Sequence, residues 1–167
     1  VRYKAILEYD GADFAGFQRQ APMVGPTIQG EVESALARIS GGKAITVFGA
    51  GRTDSGVHAS GQVIAFELEW THGAGALARA LNANLPRAIA AQTVSECVPD
   101  FHPRFSARGR RYRYSIYNAP IRSPLRERFA WQVWPALEVA AMQTASQGLI
   151  GRRDFGTFGT APEPGGH

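Results

Sequence analysis

The alternation of hydrophobic and polar residues over the first hundred positions predicts four strands and two helices. Four segments have the short, apolar or alternating composition of strands: residues 3–9, 44–48, 62–68 and 89–97. Two segments place apolar residues at helical spacing, one from a predicted N-cap at Thr27 to Gly41-Gly42 and one over residues 74–82. The resulting order, β-α-β-β-α-β, is that of the split βαβ or ferredoxin-like arrangement, so the predicted fold class is α+β.

The rest of the chain adds further elements to this pattern. Strands are predicted over residues 110–118 and 129–134, and a helix over residues 137–149. We therefore expect two parts: residues 1–107 with the ferredoxin-like elements, and residues 108–167 with arginine-rich strands, a helix and the start of a second half. The chain starts without Met and ends in a loop-like composition over residues 161–167, so we expect a fragment of a longer protein.

Composition narrows the class of protein. With 44% hydrophobic residues, the 167-residue chain can bury one substantial core. Its lone cysteine, Cys97, cannot form an internal disulfide and excludes the Cys-x-x-Cys zinc sites of nucleobase deaminases. No apolar run reaches the length of a membrane span, and the first residues show no signal peptide. We expect a cytoplasmic protein with no membrane partner.

Positive charge is concentrated in one stretch of the sequence. The formal net charge is +4, and residues 104–128 hold eight arginines against a single acid, Glu127. Arginine grips phosphate with a planar fork, so this stretch predicts a surface that contacts a polyanion. Alternation over residues 110–118 would place Tyr112 and Tyr114 on an apolar face and the neighbouring arginines on the other, which makes Tyr112 a core residue or the edge of a pocket.

The segment with the most specific pattern lies between the second and third predicted strands, over residues 48–59. Asp54-Ser55-Gly56 is a favourable turn, because Asp bonds its own backbone and Gly supplies positive φ. Two glycine motifs are excluded: a dinucleotide fingerprint starting at Gly49 needs glycine where Asp54 stands, and a phosphate-binding loop needs Gly-Lys before Ser or Thr. From these residues alone, a structural turn and a catalytic carboxylate both stay open.

Several motifs of this chain occur in the same order in one enzyme family. They are Glu8-Tyr9-Asp10-Gly11, Phe14-x-Gly16-x-Gln18-Arg19-Gln20, Thr27-Ile28-Gln29-Gly30-x-Val32-Glu33, Gly51-Arg52-Thr53-Asp54-x-Gly56-Val57-His58, Asn82-x-Asn84-Leu85-Pro86, Asp100-Phe101-His102-x-Arg104-Phe105-Ser106-Ala107 and Arg111-Tyr112-Arg113-Tyr114. Together they resemble the TruA type of tRNA pseudouridine synthase. The likeness runs from Tyr3 to about Phe158, and several independent motifs in one order argue against chance.

The resemblance implies an enzyme that isomerises uridine to pseudouridine with Asp54 as its catalytic residue. The reaction breaks the bond from uracil N1 to ribose C1′, turns the base and rejoins it through C5, so it requires no redox step, water or metal. A glycosidase needs two carboxylates, whereas here the leaving uracil is itself the attacking group and one carboxylate suffices. Asp54 would attack C1′ or take a proton from C2′, and the sequence leaves both roles open.

Other site residues follow from the resemblance alone. It implies that Arg52 lies beside Asp54, holds it ionised and contacts RNA, and that Tyr112 stacks on the target uracil. His58 is expected to be an interior structural residue. Four residues fall on the family's RNA-binding loop: Phe101, His102, Arg104 and Phe105. Reaching C1′ takes the uridine out of its stack, at a cost of roughly a few kcal/mol that such contacts must offset.

The same resemblance implies the partners. The expected substrate is the anticodon stem-loop of tRNA, with uridines at positions 38 to 40, and no cofactor or metal is expected. Members of the family have a second, similar half that closes the active-site cleft and a dimer interface, so we expect the full-length protein to be a homodimer.

Two other functions fit parts of the pattern. A non-catalytic RRM shares the β-α-β-β-α-β order but needs Lys/Arg-Gly-Phe/Tyr on its third strand, and residues 62–67 do not provide it. A carboxylate hydrolase needs a second acid in the cleft, and no other Asp or Glu has a comparably distinctive setting. The sequence therefore favours the isomerase.

Overall fold

The computed structural model describes residues 1–158 and divides the chain into two compact units. The first unit is Val1–Arg111, and the second starts at Tyr112. The functional division expected between residues 107 and 108 stays a prediction. The terminal loop expected over residues 161–167 lies outside the described residues.

Four strands of the first unit form one antiparallel sheet: β1 (Arg2–Tyr9), β2 (Phe48–Gly49), β3 (Ala59–Glu67) and β4 (Ile89–Glu96). Their order across the sheet is β2-β3-β1-β4. Two helices, α1 (Ile28–Ile39) and α2 (Gly73–Asn84), follow β1 and β3 in the chain. The first unit is thus a mixed α/β structure built on an antiparallel sheet.

The core lies on one face of this sheet, as the alternating burial of residues along β1 shows. The odd-numbered residues of β1 are buried against apolar side chains of the two helices: Tyr3, Ala5, Leu7 and Tyr9 against Ile28, Val32, Ala35, Leu36, Leu77 and Leu81. Burial of each large apolar side chain contributes about 1.5–3 kcal/mol to the free energy of folding. The even-numbered residues Arg2, Lys4, Ile6 and Glu8 point to the opposite side, which we call the open face.

The start of α1 confirms the predicted cap. Thr27 Oγ1 accepts a hydrogen bond from the Gly30 amide at 3.2 Å, which satisfies one of the free donors at the helix N-terminus. The helix ends at Ile39, and Gly41 follows with a φ of 72°, a conformation that favours glycine.

Two strand boundaries predicted in the first unit are wrong. Residues 44–47 are not a strand, because side chains of α1 take both backbone groups of Val47. Its amide donates to the Glu33 carboxylate at 3.1 Å, and its carbonyl accepts from Gln29 Nε2 at 3.1 Å. β3 starts at Ala59 rather than at residue 62, because Ala59 still pairs with Tyr9. The connecting loop is therefore residues 50–58.

The second unit is built from three short elements. β5 (Ile116–Asn118) and β6 (Trp131–Val133) pair in parallel, and α3 (Val139–Gln147) follows. All three are shorter than the sequence predicts, and α3 has no buried residue. No helix among residues 1–158 combines the length and apolar composition needed to cross a lipid bilayer.

The strand expected over residues 110–118 forms only over residues 116–118, so the apolar strand face predicted for Tyr112 does not exist and Tyr112 is not a core residue. In the part of the chain that the structure describes, residues 110–115 belong to no strand, and only the Ser115 carbonyl bonds to a strand, where it accepts from the Trp131 amide at 2.8 Å. Tyr112 and Tyr114 are 69% and 89% exposed. The eight arginines of residues 104–128 all lie outside β5 and β6, so the expected arginine-rich strands are arginine-rich loops.

Candidate active site

Asp54 lies on the loop of residues 50–58 that joins β2 to β3. Asp54 and Arg52 are both exposed. Within residues 1–158, the Asp54 carboxylate makes no hydrogen bond or ion pair, and Arg52 forms no ion pair with it. The expected role of Arg52 beside Asp54 stays a prediction. The carboxylate is open to a ligand.

The backbone around Asp54 is fixed even though its side chain is exposed. The preceding carbonyl, that of Thr53, accepts from the Phe17 amide at 2.9 Å, and the Asp54 carbonyl accepts from the Val57 amide at 3.2 Å. On the far side, Ser55 Oγ donates to the Phe14 carbonyl at 3.1 Å. The segment of residues 14–17 therefore holds the loop on both sides of the carboxylate, as a preorganised site requires.

Tyr9 supports the loop through a partly buried hydrogen bond to Thr53. Its hydroxyl lies 2.9 Å from Thr53 Oγ1, and the ring is 3% exposed at the end of β1. Burial raises the pKa of the Tyr9 phenol above its ordinary value, so the phenol keeps its proton at neutral pH. A buried tyrosine hydroxyl needs a partner, and here that partner is the residue next to Asp54.

Tyr9→Phe is expected to lower the free energy of unfolding by about 1 kcal/mol, the usual net value of one such hydrogen bond. Thr53→Val is expected to cost more, because it leaves the buried phenol without a partner. The double variant should then cost less than the sum of the two. Chemical denaturation measures all three.

Tyr3→Phe is the matched control for this cycle. Tyr3 is a tyrosine on the same strand whose ring is buried, but its hydroxyl reaches solvent and makes no hydrogen bond within residues 1–158. Its loss should change stability by less than about 0.5 kcal/mol. Strictly additive effects of Tyr9→Phe and Thr53→Val would contradict the coupling.

His58 closes the loop onto the end of β1. Its Nδ1 lies 3.1 Å from the Gly11 amide and 3.0 Å from Asp10 Oδ1, and its side chain is 31% exposed. One nitrogen cannot serve both at once: it accepts from the amide when Nδ1 is unprotonated and donates to the carboxylate when Nδ1 carries a proton. Either bond joins the turn that follows β1 to the loop, so the expected structural role of His58 fits its half-buried position.

Two side chains that the sequence did not single out cover the first part of the loop. Arg110 Nη2 donates to the Ala50 carbonyl at 2.7 Å, and Gln62 Nε2 donates to the Gly51 carbonyl. The arginine-rich stretch predicts Arg110 only as a phosphate contact, whereas the structure gives it a structural bond 60 residues away in the sequence. No local sequence signal marks such a pairing.

The predicted RNA-binding loop forms an aromatic cluster on the first unit. The His102 ring lies 4.4 Å from the Phe105 ring and 5.6 Å from the Phe48 ring, measured between centroids. Phe105 is 76% exposed and Arg104 is exposed, while Phe101 and His102 are half-buried. Exposed rings beside a cation are suited to stack on unpaired bases.

The predicted site residues do not all fall on one unit. Arg52, Asp54 and the loop that carries Phe101 to Phe105 belong to the first unit, whereas Tyr112 opens the second with an exposed ring. In the second unit Arg122 pairs with Glu127 at 3.5 Å, and Arg126 lies over the Tyr117 ring at 4.8 Å.

Neither the groove of the second unit nor any cluster of metal-binding residues in the described chain offers a second reactive site. A groove of about 540 Å³ in the second unit is lined by residues without an ionisable side chain: Ile116, Asn118, Leu137, Val139, Met142, Gln143 and Ser146. Among residues 1–158, no three His, Cys, Asp or Glu side chains cluster so that they could hold a metal ion. Asp54 is therefore the strongest candidate for a reactive group in the described chain.

Comparison with known proteins gives one consistent result. A family model described as tRNA pseudouridine synthase matches residues 5–106. Proteins named tRNA pseudouridine synthase A are similar over most of the chain: 45% identical in Brevibacillus brevis over 96% of this chain and 64% of the relative, and 46% in Rhodospirillum rubrum over 96% and 57%. The relative from Moorella thermoacetica is 44% identical over 98% of this chain and 66% of its own length. The chain thus spans about three fifths of the length of these relatives.

Proposed function

Because this chain belongs to the tRNA pseudouridine synthase family, we propose that the whole protein converts uridine to pseudouridine in tRNA. The family is one of isomerases. The observation that carries the proposal is the Asp54 carboxylate, which is exposed and unengaged within residues 1–158 while its backbone is held on both sides. A carboxylate that only capped a turn would bond its own backbone.

The chemistry needs one group at the sugar and no co-reactant. The bond from N1 to C1′ breaks, the base turns and C5 bonds to C1′. C5 then releases its hydrogen to solvent as a proton, and N1 takes up a proton from solvent. Asp54 acts as a nucleophile at C1′ or as a base at C2′, and both roles require an ionised carboxylate within reach of the ribose. The open position of Asp54 supports either role.

The remaining site residues act on the RNA. Tyr112 stacks on the extruded uracil, and its 69% exposure leaves the ring accessible. Arg52 and Arg104 bind phosphate as exposed cations. His102 and Phe105 hold the displaced nucleotide through their aromatic cluster with Phe48, and Phe101 binds it from the same loop, since base stacking on a ring is worth about 1–3 kcal/mol.

We also propose a fold, a substrate and an assembly state for the whole protein. Residues 1–107 form a ferredoxin-like catalytic subdomain, which the strand order β2-β3-β1-β4 supports, and residues 108–167 form the second part. The substrate is the anticodon stem-loop of tRNA, with uridines at positions 38 to 40 as the target. The full-length protein acts without a cofactor, in the cytoplasm, as a homodimer.

Tritium at C5 of the target uridine tests the reaction directly, because pseudouridine formation removes the hydrogen at C5. The full-length protein is incubated with tRNA that carries tritium at C5 of uridine, and radioactivity is followed in water and in free uracil. We expect tritium in water, no free uracil, and pseudouridine mapped to the anticodon stem-loop. A glycosidase would release labelled uracil, and an RNA-binding module would bind the tRNA without releasing either product.

A further inference from the structure

Arg2 is a largely buried cation on the open face of the sheet. Its side chain is only 12% exposed, and three groups contact its guanidinium. Nε donates to the Phe101 carbonyl at 2.7 Å, Nη1 pairs with the Glu67 carboxylate at 2.9 Å, and the guanidinium carbon lies 5.5 Å from the centre of the Phe48 ring. The Arg2 carbonyl also accepts from the Cys97 amide at 3.0 Å. Residue 2 thus holds the segment that follows β4 through both backbone and side chain.

The segment held by Arg2 is the loop of residues 98–106. The Phe48 ring, which faces the Arg2 guanidinium, also faces His102, and His102 faces Phe105. Four planar groups therefore form a row that starts on β1 and ends at the exposed ring of Phe105. A shift of the first member changes the support of every later one.

An arginine suits this position better than other residues. Its planar fork offers separate nitrogens for the carbonyl and the carboxylate while its flat side lies against a ring, which the single ammonium of lysine cannot match. The pair with Glu67 offsets the charge, so Arg2 is poorly placed to bind phosphate itself. Its effect on a ligand must pass through the loop.

We infer that Arg2 is a positioning residue for tRNA binding, which orders the loop of residues 98–106 so that His102 and Phe105 present their rings to unpaired bases. This inference rests on the proposed function. Arg2 touches no reacting atom, so it sets affinity for tRNA rather than the rate of the chemical step.

The test compares Arg2→Met and Arg2→Lys with Arg38→Met in the full-length protein. Arg38 is a matched control, because it also makes two hydrogen bonds, to Asn84 Oδ1 at 3.2 Å and to the Asn84 carbonyl at 2.6 Å, and it lies on α1 on the other side of the sheet. The readouts are the tRNA Kd, the single-turnover rate at saturating tRNA, the thermal midpoint, and amide exchange in residues 98–106.

Arg2→Met is expected to raise the tRNA Kd about 10-fold, the equivalent of one charge-assisted hydrogen bond. The rate at saturating tRNA should stay within about 2-fold, and amide exchange in residues 98–106 should accelerate. Arg2→Lys should fall between Arg2→Met and wild type, and it carries the test if Arg2→Met does not fold. Arg38→Met should keep wild-type Kd and loop exchange.

Unchanged affinity in a folded Arg2 variant, loop exchange no faster than in Arg38→Met, or a loss of rate at saturating tRNA without a loss of affinity would each overturn the inference. If wild type bound tRNA but formed no pseudouridine, the proposed function would fail. Amide exchange would still report whether Arg2 orders the loop, so the two failures are distinguishable.

Discussion

Asp54→Asn is expected to lower pseudouridine formation by at least about 10³-fold, the scale on which an essential nucleophile or base acts. The amide has nearly the same shape but neither attacks carbon nor accepts a proton well. Because the Asp54 carboxylate makes no hydrogen bond or ion pair within residues 1–158, the change should leave folding intact. Tritium release measures the rate, and filter binding measures affinity for tRNA, which should stay within about 3-fold.

Glu69→Gln is the matched control for Asp54→Asn. It also converts an exposed carboxylate to an amide, and its only contact within the described residues is a surface pair with Lys43 at 3.2 Å, which contributes little. Its activity should equal wild type. Activity retained in Asp54→Asn would refute the assignment, and lost tRNA binding in that variant would mean that Asp54 acts in recognition rather than in chemistry.

Local sequence signals were sufficient where local physics decides the structure. The alternation of residues 3–9 predicted β1 because one face of that strand is buried by helices, and Thr27 predicted the start of α1 because a hydroxyl satisfies a free helix donor. These elements depend on neighbours within a few positions in the chain, and their patterns are visible in the sequence.

The errors arise where distant groups decide. Residues 44–47 have strand composition, but Glu33 and Gln29 take the backbone bonds of Val47. Residues 110–115 alternate like a strand, but in the described chain no partner strand extends past Ser115 toward Tyr112, so Tyr112 is exposed. Propensity for a strand is expressed only when a partner strand is present.

For the candidate site too, the sequence predicts some features and not others. The motif around Asp54 located the loop, because a run of specific residues identifies a family without any knowledge of contacts. The supports of the loop could not be predicted, because Tyr9 and Arg110 reach it across 44 and 60 positions of sequence. Such contacts depend on the register of β1 and on the path of the chain after β4, which composition does not encode.

Gly16→Ala is expected to cause the second-largest loss of activity, because Gly16 lies against the backbone that carries Asp54. A Cβ on Gly16 would stand 2.8 Å from the Thr53 carbonyl oxygen and 3.4 Å from the Asp54 carbonyl carbon. That carbonyl of Thr53 holds the loop to Phe17, so the loop must move to admit a methyl group. A displacement of about 1 Å at a catalytic group can cost about 10²-fold in rate, and we expect a loss of about 10- to 100-fold in tritium release.

Gly25→Ala separates this collision from backbone strain. Gly25 has a φ of 110° and Gly16 a φ of 105°, so alanine is strained by a similar amount at both, about 1–3 kcal/mol, but no atom lies within 4 Å of a Cβ at Gly25. Both variants should therefore lose thermal stability, and only Gly16→Ala should lose activity measured well below its midpoint. Equal activities in the two variants would mean that the segment of residues 14–17 does not position Asp54, and that the loop keeps its conformation without it.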